Sequence, residues 1–293
     1  MWRSVCGLTA TAPVGSINHP FGSNRRQMKK LTKFVTGAVS VLFILWFAET
    51  PAAPQTPGAR PAASAPRRTV AGKPDLNGIW QVLNTAAWDI QDHSGQLDVP
   101  PGQGVVEGNE IPYQPWALAK KAENFAKRIT ADPTEANCFL PGIPRATYLP
   151  FPFQITHTPD NVAISYEFAH ALRTIPLDGG KHIEGLPSWM GESRGRWEGN
   201  TLVVDVGNFN DETWFDRAGN FHSDQLHVVE RYTLTDPEHI LYEATIEDPK
   251  VFTRPWKMSM PLYRLVDNHP KLLEYECVYY LQEERFRDAP FKK

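Results

Sequence analysis

The sequence predicts an all-β protein: an antiparallel barrel of about eight to ten strands with one helix and a long N-terminal insert. Three observations carry this. From Asn77 onward, apolar residues recur at every second position in short runs, the period of a half-buried strand. Residues with turn chemistry, chiefly Pro, Gly, Asn and Asp, separate the runs at hairpin spacing. Strand and helix patterns do not alternate, which argues against a parallel α/β sheet. A single meandering sheet of this size tends to close on itself, because closure removes exposed edges.

The elements follow in chain order. Residues 1–27 contain no acid and no usable pattern, and read as a disordered upstream extension. Met28-Lys29-Lys30-Leu31-Thr32-Lys33 and the apolar run over 34–48 read as a secretory signal spanning 28–52, with cleavage after Ala52. The run is shorter than the roughly 20 residues that span a bilayer comfortably; an uncleaved anchor is the alternative, and either is the only membrane contact expected. Residues 53–72 are rich in Pro and Ala, with too little bulk to offset the entropy of ordering, and form a linker. The barrel domain then occupies 73–293, in the periplasm or outside the cell.

Within that domain the first strand is 78–82, and 91–114 is a Gly- and Pro-rich excursion over the barrel mouth or surface. The helix spans about 115–128, with Pro115 near its start and Pro133 beyond its end. Strands 153–157 and 162–168 form a hairpin around Thr158-Pro159-Asp160-Asn161, followed by a strand at 171–175. Two more hairpins join 194–197 to 201–206 and 226–234 to 240–246, and the last strands are 256–266 and 272–281. Cys6 precedes the presumed start, so Cys138 and Cys277 remain for an oxidising compartment; they are expected to form one disulfide, with two buried free thiols as the alternative.

The Gly78-Ile79-Trp80 that opens the first strand resembles the Gly-x-Trp signature of lipocalins and lipocalin-like proteins. Ser193-Arg-Gly-Arg-Trp-Glu-Gly-Asn-Thr-Leu-Val-Val-Asp205, Asn208 to Trp214, Phe221 to Tyr232, and Ile246 to Trp256 together resemble a large uncharacterised family of secreted bacterial proteins. The first resemblance implies a cup-shaped barrel with a small, often apolar ligand. The second implies no activity and no catalytic residues, and the long insert over 85–150 departs from a compact lipocalin.

Charge and motifs exclude several classes. Nine Lys and Arg against the single acid Glu49 lie in residues 1–69, which leaves 21 basic and 32 acidic side chains, a net of −11, for residues 70–293. Such a body is a poor binder of nucleic acid. No Gly-rich phosphate loop, CxxC or CxxCH is present, so no cofactor is expected.

Polar residues on an otherwise apolar strand face mark candidate chemistry. Glu230 lies in register with Leu226, Val228 and Tyr232; Arg264 with Met258, Met260 and Leu262; His157 follows Phe153 and Ile155; His170 follows Ile164, Tyr166 and Phe168. Inside a closed barrel, Glu230, His157 and His170 are candidate proton-transfer groups, and Arg264, Tyr166 and Tyr232 candidate ligand contacts. The plainer alternative is an interior Glu230–Arg264 ion pair with two histidines at strand ends reaching water. His222 and His227 lie five apart among Asp211, Glu212, Asp216 and Asp224; they begin a metal site only if a third ligand comes from elsewhere, and a solvated acidic loop is the simpler reading. Gly191-Glu192-Ser193-Arg194-Gly195 matches a nucleophile elbow in letters but lacks the strand-to-helix context. The function expected is an exported barrel binding a small apolar or aromatic molecule in its interior. A cofactor-independent enzyme on the same barrel (hydratase, isomerase, cyclase or hydrolase) and a structural protein of the cell envelope are the alternatives.

Overall fold

The computed structural model describes residues 68, 69, 72–97, 99–183 and 185–277. The expected extension, signal and most of the linker lie outside the described residues, as does the end of the chain from residue 278. Nine strands form one antiparallel sheet: β1 Gly78–Gln81, β2 Phe153–His157, β3 Asn161–Tyr166, β4 Leu172–Pro176, β5 Glu192–Glu198, β6 Thr201–Gly207, β7 His227–Asp236, β8 His239–Glu247 and β9 Trp256–Arg264. Their order is β4-β3-β2-β1-β9-β8-β7-β6-β5, so the chain meanders except where β1 and β9 are brought together. Short polar turns make the hairpins, and alternate residues point inward, as in the strictly alternating burial of β7 and β8. The result is an all-β, nearly closed barrel.

An odd number of antiparallel strands sets the geometry of closure. With nine strands, the two end strands β4 and β5 run in the same direction, so the antiparallel ladder cannot continue across the seam. Side chains close it instead: Arg173 of β4 donates from Nε to Ser193 Oγ of β5 at 2.9 Å. Gly195 of β5 faces Ile175 and Leu177 so closely that a Cβ there would lie 2.6 Å from Leu177 Cδ2. The parallel relation also requires the chain after β4, which ends at the lower rim, to return to the upper rim, where β5 starts.

The long insert between β1 and β2 is partly helical and lies above the upper rim. The helix α1, Pro115–Ala131, runs three residues past its expected end. Asp132 then takes an extended conformation before Pro133, and its carboxylate caps α2, Pro133–Asn137, by accepting from Thr134 N and Glu135 N. The same carboxylate accepts two bonds from Arg145, 2.9 and 2.8 Å, and both side chains are buried. That pair fixes the short α3, Arg145–Tyr148, whose Tyr148 OH donates to Phe215 O at 2.8 Å. Val82, Ala86, Ile90, Ile143, Ala146 and Tyr148 of the insert join the barrel core, so the upper mouth is plugged. No helix among the described residues is long and apolar enough to cross a membrane.

The strand expected over 272–281 is not formed in its described part. After β9 the chain returns along the barrel as irregular structure and makes one bridge, Tyr275 with Phe168. Cys277 is bonded to Cys138, with Cα atoms 5.6 Å apart across 139 residues, so the disulfide expected from the cysteine count ties this return segment to the end of α2.

Candidate functional site

Glu230 has no exposed surface, as its place on the inward face of β7 predicts. Its partner is Arg173 rather than Arg264. Arg173 Nη1 donates to Oε1 at 3.2 Å, Nη2 donates to Oε2, and the hydroxyls of Tyr232 and Tyr242 each donate to Oε1 at 2.9 Å. Tyr166, 3% exposed, lies beside Arg173, and burial raises its hydroxyl pKa. Trp80, Phe153, Tyr232 and Tyr242 retain no accessible surface, so no void as large as a water molecule touches them. A carboxylate with four donors, in a filled interior, is spent on holding β4 to β7 and β8 across the seam.

The remaining interior candidates lie elsewhere. Arg264 ends β9 at the lower rim, where its guanidinium stacks 4.3 Å from the Trp80 ring and donates to Pro237 O and Asn77 O at 2.7 and 2.6 Å. Gly78 makes room for it: at φ 144°, a Cβ would lie 2.1 Å from Arg264 Nη1. His157 is a strut of the same rim; its Nε2 accepts from Leu76 N at 3.3 Å, and burial lowers its pKa against the opposing pull of Asp75. His170 is outside the barrel. The alternation that carried it inward stops at Tyr166, because Ala169 and His170 turn through left-handed backbone at φ 52° and 49°, and His170 meets Glu276 at 2.9 Å near the surface.

His222 and His227 do not share a site. His222 is buried between Thr213 and Ser223, while His227 lies on the outer face of β7 against Asp205 and Glu247. Among the described residues no three His, Cys, Asp or Glu side chains are arranged to hold a metal ion. Ser193 lies inside β5 and accepts from Arg173, with no following helix, so the nucleophile-elbow letters have no matching geometry.

The 208–226 loop is only partly the solvated acidic loop its composition suggests. Asp211, Glu212 and Asp224 face water, but Trp214, Asp216 and His222 are buried. The loop folds back through a Trp214–Phe221 bridge, and Gly219 brings it against α1: its φ is 82°, and a Cβ would lie 2.7 Å from Asn124 Cβ. Asn124 Nδ2 seals the contact by donating to Gly219 O at 3.2 Å. Between helix and loop runs a groove of about 510 Å³, walled by Trp116, Trp214 and Phe221, floored in part by His222 and flanked by Lys120 and Lys127. Trp116 remains 55% exposed, while its indole N–H donates to Lys250 O at 3.2 Å and its ring meets Phe221 edge-on at 6.0 Å.

No protein-family model matches the chain, and no curated protein or solved structure matches it. The groove is therefore read from its own chemistry. A carbonyl only accepts, so His222 Nδ1 donates to Ser223 O at 2.9 Å, and Nε2 accepts from the Thr213 hydroxyl at 2.7 Å. Burial lowers the His222 pKa, in keeping with that neutral form. On the buried side of the loop, Asp216 accepts from Ile90 N and from Asn220; burial first, and the neighbouring Asp89 carboxylate second, push its pKa up to about 7. The groove thus offers aromatic faces and the edge of a neutral imidazole whose two nitrogens are already bonded, beside a rim where the Lys120 and Lys127 ammonium groups pair with Glu123.

Two inward residues missed in the sequence were open to the same argument that found Glu230. Arg173 alternates with Ala171 and Ile175, and Tyr242 with Ile240, Ala244 and Ile246. The groove has no such signal, because Trp116 and Trp214 are 98 positions apart and only the packing of α1 on the loop unites them.

Proposed function

We propose that the protein is an exported binding module that takes a small aromatic or apolar molecule in the groove between α1 and the 208–226 loop, with the barrel as its rigid scaffold. The observation that carries this reading is the groove itself. Its volume lies in the range of small-molecule sites, and its walls join two indoles and a phenyl ring to a few polar groups. Of these rings Trp116 is half-exposed and supplies the large apolar face that a planar ligand covers, while Trp214 and Phe221 are largely buried behind it. The packed interior favours the rim over the barrel axis as the place of binding. The nearly closed barrel and its Gly-Ile-Trp opening support a lipocalin-like reading, although nine strands depart from the eight of lipocalins. The Cys138–Cys277 disulfide supports export to an oxidising compartment.

The test uses 1-anilinonaphthalene-8-sulfonate as a probe of aromatic-groove binding. Saturable binding with quenching of tryptophan fluorescence is expected. Trp116→Ala, a largely solvent-facing change, should weaken it roughly tenfold, a loss of about 1.4 kcal/mol. Equal affinity in the two proteins, with both melting cooperatively, would sink the proposal.

A further inference from the structure

Outside the groove, five side chains form a continuous line over the outer face of the barrel. His182, in the 177–191 crossover, meets Glu192 of β5 through Nδ1 and Asp205 of β6 through Nε2, the latter at 2.7 Å. His227 of β7 directs its own Nε2 to the same Asp205 oxygen at 3.1 Å, and its Nδ1 lies 3.5 Å from Glu247 of β8. Both imidazoles are about one-third exposed, so solvent protons reach them.

Proton counting makes this line asymmetric. A carboxylate only accepts, so each ring nitrogen of His182 must carry a proton to bond its partner. A neutral imidazole has one N–H, and its other nitrogen then presents a lone pair to a carboxylate. The imidazolium is the form these contacts accept.

We propose that His182 is a pH-sensitive clasp that fastens the 177–191 crossover to the outer barrel face while its imidazole is doubly protonated and loosens it when rising pH removes one of those protons. The crossover matters because it connects the two strands that the antiparallel ladder cannot join. His182 is faced by Glu192, Arg194 and Arg196 from β5 and Asp205 from β6, with Lys181 and Asp178 on its own segment; His227 of β7 lies on the far side of Asp205, and Glu247 of β8 beyond His227. Arg194 is itself paired with Glu192, Nε to Oε1 at 2.6 Å, and Arg196 with Glu198 at 2.8 Å, so both of these arginines are engaged by carboxylates. The two facing carboxylates raise the His182 pKa above its ordinary value against burial, the largest single influence, which lowers it. The sign follows: a histidine favoured in its charged form stabilises the folded arrangement below the pKa of the released ring, and that contribution is lost as pH rises through the folded value.

The test is hydrogen exchange of the 177–191 segment in the full chain at pH 5.5 and pH 8, corrected for intrinsic exchange, alongside a ring-carbon NMR titration of His182. Wild-type protection should fall at pH 8, whereas His182→Gln should show the reduced protection at both values. A His182 midpoint above the ordinary histidine range is expected in the titration. Equal wild-type protection at the two pH values, pH dependence that persists in His182→Gln, or a midpoint at or below the ordinary range would each overturn the clasp.

Discussion

Replacing Arg173 by methionine tests whether the interior ion pair holds the barrel seam. The substitution leaves Glu230 with two tyrosine hydroxyls in a place with no exposed surface, and Ser193 with no partner across from β4. Breaking a buried pair from one side costs about 3–5 kcal/mol, because the remaining charge is neither solvated nor paired. The lost Ser193 bond adds about 1 kcal/mol. The stability of a whole domain is roughly 5–15 kcal/mol, so the variant should be badly weakened but measurable. For a domain of about 200 residues, a loss near 4 kcal/mol corresponds to roughly 8–16 °C in Tm. Removing both charges, in Arg173→Met with Glu230→Gln, should cost much less than the two single changes together, with a coupling of about 2–3 kcal/mol. Urea unfolding, followed by circular dichroism and tryptophan fluorescence with the disulfide intact, measures all four proteins. If Arg173→Met cost under about 1 kcal/mol, or if the single effects simply added, the seam argument would be wrong.

Arg264→Met should destabilise by about 3 kcal/mol, since it removes two carbonyl contacts and the stack on Trp80, and should leave dye binding at the groove unchanged; thermal melts and a binding isotherm read the two effects separately. Replacing Cys138 and Cys277 by serine opens a 139-residue loop, so up to about 5 kcal/mol should be lost in urea melts, and a loss within error would show that the bond constrains little. Asp216 favours the fold while protonated, because its pKa is raised in the folded state; ionising it should reduce stability as pH climbs from about 4 to 8. Relative to Asp216→Asn, wild type should lose about 4 kcal/mol over that range, and a pH-independent difference between the two would contradict the assignment.

Local signals made most of the barrel legible. Period-two alternation located all nine strands because half of each strand faces the core, and turn chemistry such as Thr158-Pro159-Asp160-Asn161 marked where the chain reverses. Alternation also placed Glu230 inside correctly. It failed at His170 because a strand pattern cannot show that left-handed backbone at Ala169 and His170 has ended the strand. It failed at Arg264 for a different reason. Inward register gives a direction, but the last residue of a strand reaches a rim, where Gly78 opens space beside Trp80.

The sequence by itself determined the all-β class, the helix near 115–128, the cysteine pair and the inward place of Glu230, since each depends on spacing along the chain or on composition. Only the tertiary structure decided which cation meets Glu230, because Arg173 and Arg264 both lie on apolar faces and the choice rests on β4 lying across the seam from β5. It alone also filled the interior, gathered Trp116, Trp214 and Phe221 into one groove, and set His182 on the Asp205 shared with His227. Contacts between segments distant in sequence depend on strand order and on how the insert packs, and no local pattern encodes either.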